Sequence, residues 1–500
     1  MNDSILMSSN PLVKHLQKQP ADFTKADLIK FIEDNKIKMV NFRYTGGDGR
    51  LKTLNFIINN KQYLDSILSA GERVDGSSLF SHIEAGASDL YVIPRYRTAF
   101  VNPFSEIPSL DILCSFYNKD GEPLAIAPDY ILRKASKCLT EQTGYNLEAM
   151  GELEFYVIGE SDNLFKATDQ KGYHESDPFS KFAEFRNEAI EIIAACGGSV
   201  KYAHSEVGNF SENNLIYEQN EIEFLPTDIC DAADQLVIAK WILRNLAYQY
   251  NLTVTFAPKI TFGKAGSGLH VHMRLMKDHK NAMIENGKIN DTAKKIISGL
   301  LQLAPSLTAF GNINPTSYFR LVPNQEAPTY ICWGDRNRSV LVRVPLGWSN
   351  KNDMLKDANP LEVDTKCDYS DKQTVEYRCS DGTANVYLLL AGIAVAVRYG
   401  LQNDKALEIA ANTYADTNIF SDCFKQKLAS LKQLPPSCWD SAECLLKQAD
   451  IYKQYNIFTE AFINGVIEDL KKFNDKNLRK EINGDKDKIL ELVNNYFHCG

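Results

Sequence analysis

What is scarce or missing here narrows the protein before any motif does. The eleven cysteines form no C-x-x-C pair and follow no zinc spacing, so the expectation is reduced thiols in a cytoplasmic protein, not a disulfide scaffold or a cysteine zinc site. Residues 1–20 hold no apolar stretch of signal-peptide length. The longest near-apolar run, Val386 to Val397, is twelve residues and stops at Arg398. A bilayer-crossing helix needs about 20, so this run is expected to be a buried helix, with no membrane partner. Charge of one sign is scarce as well. Lys+Arg 55 against Asp+Glu 64 leaves a net −9, with no basic surplus for nucleic acid. There is no internal repeat, no low-complexity tract, no P-loop and no dinucleotide fingerprint.

What is present is globular: 44% hydrophobic and 24% charged over 500 residues, enough for two to four domains at about 100–200 residues each. Residues 1–123 read as a small α+β module. A Thr-capped helix is expected over Thr24–Asn35, then strands Lys38–Tyr44 and Leu51–Ile58 around Gly46-Gly47-Asp48-Gly49, a hairpin signal. A short helix over Tyr63–Leu68 and a second hairpin from Ile112–Phe116, turning at Asp120-Gly121, complete it.

Residues 124–500 read as a larger catalytic domain. Strands are expected at 152–158, 221–225, 253–257, 269–275, 339–344 and 374–379, with helices at 180–196, 228–250, 291–310 and 383–400. The last hundred residues read as amphipathic helix broken by Pro435-Pro436, with a solvated Lys/Asp-rich face at 471–488.

Residues two apart on a strand share a face. Four short strings then matter: Glu152-Leu-Glu154, Glu221-Ile-Glu223, His270-Val-His272 and Glu376-Tyr-Arg378. One such pair is ordinarily a solvent face. Four in one domain suggest buried carboxylates that need a counter-charge, and acids with one imidazole suit Mg²⁺ or Mn²⁺ better than zinc. The excess of acids suggests two ions and phosphoryl transfer. Arg320, Arg336, Arg338 and Arg343, joined by Arg378, are either oxyanion binders or surface residues paired with Asp335 or Glu326. Arg338 and Arg343 cannot share one face of an unbroken strand, so a turn is required at Asn337-Arg338. The string Gly263-Lys-Ala-Gly-Ser-Gly268 permits close backbone approach to a ligand, and Asp75-Gly-Ser-Ser78 reads as a turn.

Taken together, these strings resemble glutamine synthetase of the long bacterial and archaeal type, over about residues 30–400. The resemblance rests on V-D-G-S-S (74–78), G-E-L-E-F (151–155), H-S-E-V-G (204–208), Q-N-E-I (219–222) and G-S-G-L-H-V-H (266–272). It continues in S-Y-F-R-L-V-P-N-Q-E-A-P (317–328), R-N-R-S-V-L-V-R-V-P (336–345) and V-E-Y-R (375–378). It implies an α+β fold: a β-grasp-like N-terminal module, then a catalytic domain on a curved antiparallel sheet (a half-barrel) with a helical C-terminal tail.

The resemblance also implies roles. Glu154, Glu206 and Glu221 would hold one divalent metal, and Glu152, His270 and Glu376 a second, either Mg or Mn. His272, Arg338 and Arg343 fall where the family holds ATP phosphates; Arg320, Arg378 and the Gly266 backbone fall where it holds glutamate. Asp75, with Ser78 in the same string, matches the acid that takes the proton from ammonium, in a site completed by Tyr173 and Glu206. Glu326 matches the acid on the flap over the glutamyl phosphate. The implied reaction is ATP-dependent ligation of ammonia to glutamate, in stacked hexameric rings of identical subunits whose sites lie between neighbours. The chain departs from the family at Ala265, where an Asn is usual, at Glu218 for Gly, at Arg274 for a small hydroxyl residue, and in a longer segment between Glu206 and Glu221. Alternatives are a glutamate–amine ligase, a non-catalytic relative and a two-metal phosphohydrolase.

Overall fold

Thr24 caps the helix Lys25–Asp34 through a reciprocal capping box with Asp27, which satisfies two otherwise orphaned N–H groups. The computed structural model that places it describes residues 3–83, 85–162, 164–322, 327–347, 354–363, 369–482 and 484–500. Strands β1 (Met39–Thr45) and β2 (Leu51–Ile57) pair antiparallel around the glycine turn, where Gly49 takes a φ of 77° that only glycine adopts without strain. Asn60 caps the helix Lys61–Ala70, a turn longer than the sequence suggests. Then come β3 (Glu72–Asp75), β4 (Asp89–Pro94), β5 (Phe100–Val101) and β6 (Ser109–Tyr117).

The sheet order is β2-β1-β6-β4-β3, with β5 on β6, and β1 and β6 run parallel. The expected second hairpin shrinks to a single bridge, Tyr117 to Pro123, at the Asp120-Gly121 turn. The reason is burial. Strand β6 is buried along nearly its whole length, so it takes the centre of the sheet rather than a hairpin edge. Leu28, Phe31, Ile32, Leu64 and Leu68 from the two helices close one core with Val40, Phe42, Leu110 and Ile112.

The second sheet contains β7 (Asn146–Glu160), β8 (Val200–Glu212), β9 (Leu215–Phe224), β10 (Thr227–Asp228), β11 (Thr253–Thr255), β12 (Leu269–Lys277) and β13 (Lys280–Asn281). A small separate hairpin, β14 (Ile284–Glu285) with β15 (Lys288–Ile289), follows, before β16 (Trp333–Asp335), β17 (Val342–Val344) and β18 (Val375–Tyr377) return to the sheet. Its path is β16-β17-β18-β12-β7-β9-β8. Every pairing on that path is antiparallel except β16 with β17. The strand expected over 339–344 is shorter, because residues 336–341 form the turn that the arginine spacing required; Arg336 sits there at φ 55°.

Strand β8 was not foreseen. It pairs with β9 across a two-residue loop, Asn213-Asn214, both at positive φ, the backbone that Asn tolerates best after Gly. The long segment between Glu206 and Glu221 is this hairpin. The helices Pro128–Thr143, Ile229–Gln249 and Asp291–Gly311 pack against the sheet, and Val386–Gln402, buried nearly throughout, packs against those three. Among the described residues no single helix is long and apolar enough to cross a membrane.

The N-terminal module is fastened to this domain by buried charge. Both terminal nitrogens of Arg95 donate to Asp234, at 2.7 and 2.8 Å, and Tyr387 Oη donates to the same carboxylate at 2.7 Å. The tail helices Cys438–Lys453 and Glu460–Lys472 join the main core, with Tyr452 Oη 2.7 Å from Ser306 Oγ. The stretch 471–488 is not simply a solvated face. Asp475 is 4% exposed and accepts the N–H groups of Cys438 (2.8 Å) and Trp439 (3.0 Å), capping a helix far from it in sequence. Ile482 and Ile489 pack with Tyr156 and Ile158. Asp475→Ala is therefore expected to destabilise the chain by about 1–3 kcal/mol, while Lys476→Ala next to it changes stability by less than about 0.5 kcal/mol. Denaturant unfolding of the two variants checks this.

Candidate active site

Register turns the four strings into one surface. His204 stands opposite Glu221, and Glu221 opposite Glu154. In the next row Glu223 faces Glu152, which faces His270. In a third row His272 faces Glu376, which faces Arg343. Each row is two residues from the last along its strands, so all these side chains share one face of β8, β9, β7, β12, β18 and β17.

Glu152 sits at the centre. Its Oε2 is 3.0 Å from His270 Nδ1 and its Oε1 is 2.8 Å from His272 Nε2. His270 Nδ1 is also 3.6 Å from Glu376 Oε1. Glu152, His270 and Glu376 offer ligand atoms all within 4.8 Å of one another, and Glu152, Glu223 and His272 do the same.

Of the other predicted set, Glu206 and Glu221 come together, with His204 as the third group within the same reach. Glu154 turns partly away. Its Oε2 accepts the Gly268 N–H at 2.6 Å and Gln219 Nε2 at 3.2 Å, while Oε1 lies 3.7 Å from His270 Nε2. Glu206 owes its position to a bulge. Pairing steps from Ser205–Asn220 to Asn209–Glu218, so residues 206–208 stand against Gln219 alone, and the strand bends to re-aim them.

The electrostatics of this face follow from burial. Burial, and then the Glu154 charge, push Glu206 up to about 7. Burial and the neighbouring Glu152, Glu154, Glu206 and Glu223 push Glu221 well above the carboxylate range. Burial would raise Glu152 too, but His272 and His270 hold it well below. His272, which burial alone would lower, is raised by the same carboxylate. Burial and mutual repulsion at the Glu206–Glu221 end favour the protonated acids, and a divalent ion bound there would compete with those protons. Glu223 Oε2 is buried with no hydrogen-bond partner among the described residues. Carboxylates with one imidazole per group suit Mg²⁺ or Mn²⁺, so the donor set fits the implied metals.

Beside the acids lie the arginines. Arg343 Nη1 is 2.8 Å from Glu376 Oε2, and Arg378 Nη1 is 3.0 Å from Glu376 Oε1. Arg320 reaches beneath the Gly266–Gly268 loop to the Cys379 carbonyl (3.0 Å) and His270 Nε2 (3.3 Å). A Cβ on Gly268 would fall on Arg320 Nη2, so the close approach requires glycine here. The Nε atoms of Arg320, Arg343 and Arg378 are buried with no hydrogen-bond partner among the described residues. Arg338, on the 336–341 turn, is exposed, and its charge acts on Glu206 and Arg343.

Other predicted residues lie apart from this face or at its rim. Asp75 and Ser78 sit on an exposed turn of the N-terminal module. Asp75 accepts from Ser77 N (2.9 Å), Ser77 Oγ (2.6 Å) and Ser78 Oγ (2.9 Å), which lowers its pKa. Tyr173 is 49% exposed, stacks on His174 at 4.1 Å and meets the His204 ring edge-on at 5.5 Å. Glu326 lies outside the described residues. The two-residue period paired Glu223 with Glu221 in the sequence but gave it no role, and it would also have found Gln219, two residues from Glu221; His204 was given no role either, and the register breaks between it and Glu206.

The geometry agrees with what comparison finds. Residues 36–119 match the glutamine synthetase β-grasp domain, and residues 125–486 match the glutamine synthetase catalytic domain. The chain is 29% identical over 478 residues to a glutamine synthetase of Microchaete diplosiphon, covering 89% of this chain and 94% of that one. It is 30% identical over 408 residues to one of Clostridium saccharobutylicum, covering 79% and 84%. In structure it resembles Plasmodium falciparum glutamine synthetase, at a TM-score of 0.74 and 20% identity over 94% of this chain and 98% of that one. It also resembles GmaS in complex with ADP, at 0.71 and 20%, over 91% and 96%. The chain belongs to the glutamine synthetase family, whose members are ATP-dependent glutamate ligases.

Proposed function

We propose that this protein joins ammonia to the γ-carboxylate of L-glutamate at the expense of ATP, through γ-glutamyl phosphate. The observation that carries this reading is the single face on which the carboxylate–imidazole groups adjoin three arginines with unspent donors. A carboxylate is a poor electrophile, and two anions must meet for phosphoryl transfer. A site made of cation ligands and guanidinium groups is built to neutralise both.

Two divalent ions, held by Glu154, Glu206 and Glu221 and by Glu152, His270 and Glu376, would supply charge neutralisation at the phosphates. His204 stands ready as a further ligand beside Glu206 and Glu221. Arg338, Arg343 and His272 would orient the phosphates of ATP. Arg320, Arg378 and the Gly266 backbone would hold glutamate, and Glu326 would close over the acyl phosphate and exclude water.

Asp75, kept ionised by three hydrogen bonds from Ser77 and Ser78, suits a small cation such as ammonium and would take its proton. It sits on an exposed turn, which supports a site completed by a neighbouring copy, with Tyr173 and Glu206 on the receiving side. The assembly would be a homo-oligomer of stacked six-membered rings. A second reading, an amine as acceptor, is favoured by Ala265 in place of the usual Asn and by the likeness to GmaS.

Phosphate release with ATP, Mn²⁺ and glutamate is expected to require ammonium. Turnover that prefers methylamine, putrescine or ethanolamine rejects ammonia in favour of the second reading. Asp75→Ala is expected to lower kcat/KM for ammonium by about 100-fold or more, with the Mn²⁺ dissociation constant changed by less than about twofold. Equal losses in both would place Asp75 elsewhere.

A third expectation concerns pH. Glu206, raised to about 7, binds a proton in the folded metal-free state that the unfolded chain releases at a lower pH. That proton's contribution to stability is present at acid pH and is lost as pH rises through about 7. Metal must displace the same proton. Mn²⁺ should therefore raise the melting temperature more at pH 8 than at pH 6, and its affinity should fall up to about tenfold per pH unit below 7. Equal shifts at both pH values would count against Glu206 as a ligand.

A further inference from the structure

The geometry points to Gln219 as a positioning residue that couples cation binding to glutamate binding, an inference that rests on the functional reading above. Gln219 is 2% exposed and spends its whole amide on three separate parts of the site. Its Nε2 donates to the Gly266 carbonyl at 3.0 Å and to Glu154 Oε2 at 3.2 Å, with Ser267 Oγ at 3.4 Å. Its Oε1 accepts the Gly208 N–H at 3.1 Å. Gly208 is the last residue of the bulge that begins with Glu206.

One side chain thus ties together two carboxylates assigned to one cation and the loop whose backbone is assigned to glutamate. The packing leaves it no alternative place. A Cβ on Gly208 would stand 2.6 Å from Gln219 Oε1 and would collide with Tyr156 Oη, so the bulge is pressed directly onto the amide. Tyr156 in turn donates to the Ala265 carbonyl at 2.8 Å, and Ala265 N donates to Gln170 Oε1 at 2.8 Å. The loop is therefore held before Gly266 at Ala265, and after it by the Ser267 N–H, which donates to the Pro258 carbonyl at 3.0 Å.

Glu154 completes the linkage. Its Oε2 is committed to Gln219 and to the Gly268 N–H at 2.6 Å, which leaves Oε1 toward the cation side. A cation that draws on Glu154 Oε1 and Glu206 fixes the two ends that Gln219 bridges, and so fixes Gly266. By thermodynamic reciprocity, glutamate held at Gly266 must tighten the cation by the same factor. Only a primary amide serves here, because the position needs donors and an acceptor at once. A Glu in its place has no donor for Glu154, and an aliphatic side chain takes the partner from the Gly266 carbonyl and the Gly208 N–H and leaves Glu154 Oε2 with the Gly268 N–H alone.

The test is a linkage measurement on the full-length protein. Glutamate binding is titrated calorimetrically with and without Mn²⁺, and Mn²⁺ binding is followed by electron paramagnetic resonance with and without glutamate, in the unaltered protein and in Gln219→Met. The unaltered protein is expected to bind glutamate about tenfold or more tightly with Mn²⁺ present. In Gln219→Met that ratio should fall to about twofold or less, with KM for glutamate rising about 10–100-fold and kcat at saturation changing far less. A merely structural role would lower both affinities and preserve their ratio, and that outcome overturns the inference. If Gln219→Met does not fold, Gln219→Asn, whose amide is one methylene too short to span the three groups, is expected to lose the ratio in the same way; a retained ratio there also overturns it. Glutamate that fails to bind the unaltered protein at all overturns the functional reading and this inference together, whereas binding with an unchanged ratio in the variant overturns this inference alone.

Discussion

Like charges on one buried face are the constraint around which this protein is organised. Glu154, Glu221, Glu223 and Glu376 are buried on adjoining strands, and Glu152 and Glu206 beside them are partly buried, so water screens the group only weakly. A fold that gathers six carboxylates must neutralise them, and this one does so with histidines, arginines and retained protons. None of these is a full counter-charge for the Glu206–Glu221 end, where burial and mutual repulsion raise the pKa of both acids. The helices packed under the sheet therefore do more than bury apolar area. They make the strand positions rigid enough that repulsion shifts pKa values instead of spreading the side chains apart.

Much of this was legible in the sequence because a strand's two-residue period is strict. Glu152 with Glu154, His270 with His272 and Glu376 with Arg378 each had to share a face wherever the strands lay. Strand order and register were not legible, since nothing local in β7 says that β12 will pair on one side and β9 on the other. Glu206 shows the limit most clearly. Its strand went unrecognised because Lys201–Glu212 is mixed polar and aromatic rather than alternating, and its aim depends on a bulge. The period that places Glu221 cannot place a residue at which the period breaks.

Long-range capping was equally hidden. Asp475 lies in a run of lysines, asparagines and aspartates that by composition is a solvent face, yet it is buried because two N–H groups at the start of the helix Cys438–Lys453 need an acceptor. Strand β6 illustrates the converse. Residues Ile112–Phe116 suggested a strand correctly, but only the three-dimensional need to cover both faces explains why it lies between β1 and β4 and not in a hairpin with the segment that follows.

The departures at Ala265 and Glu218 acquire a physical meaning in this setting. Glu218 is a buried carboxylate whose charge is met by the Lys181 N–H at 2.6 Å and Ser180 Oγ at 3.1 Å, with Arg186 3.7 Å away, so it anchors the segment that follows Tyr173 to the strand carrying Gln219 and Glu221. Ala265 has no polar side chain to offer a ligand, but its carbonyl is pinned by Tyr156 and its N–H by Gln170. Under the proposed function, selectivity at this end of the site would depend on backbone and frame rather than on a side-chain amide. A frame held by hydrogen bonds at successive peptides can fix the position of a small substrate, but it adapts poorly to a larger one. The burial of Gln219 beneath it leaves little freedom for the loop to move outward without breaking the contact to Glu154.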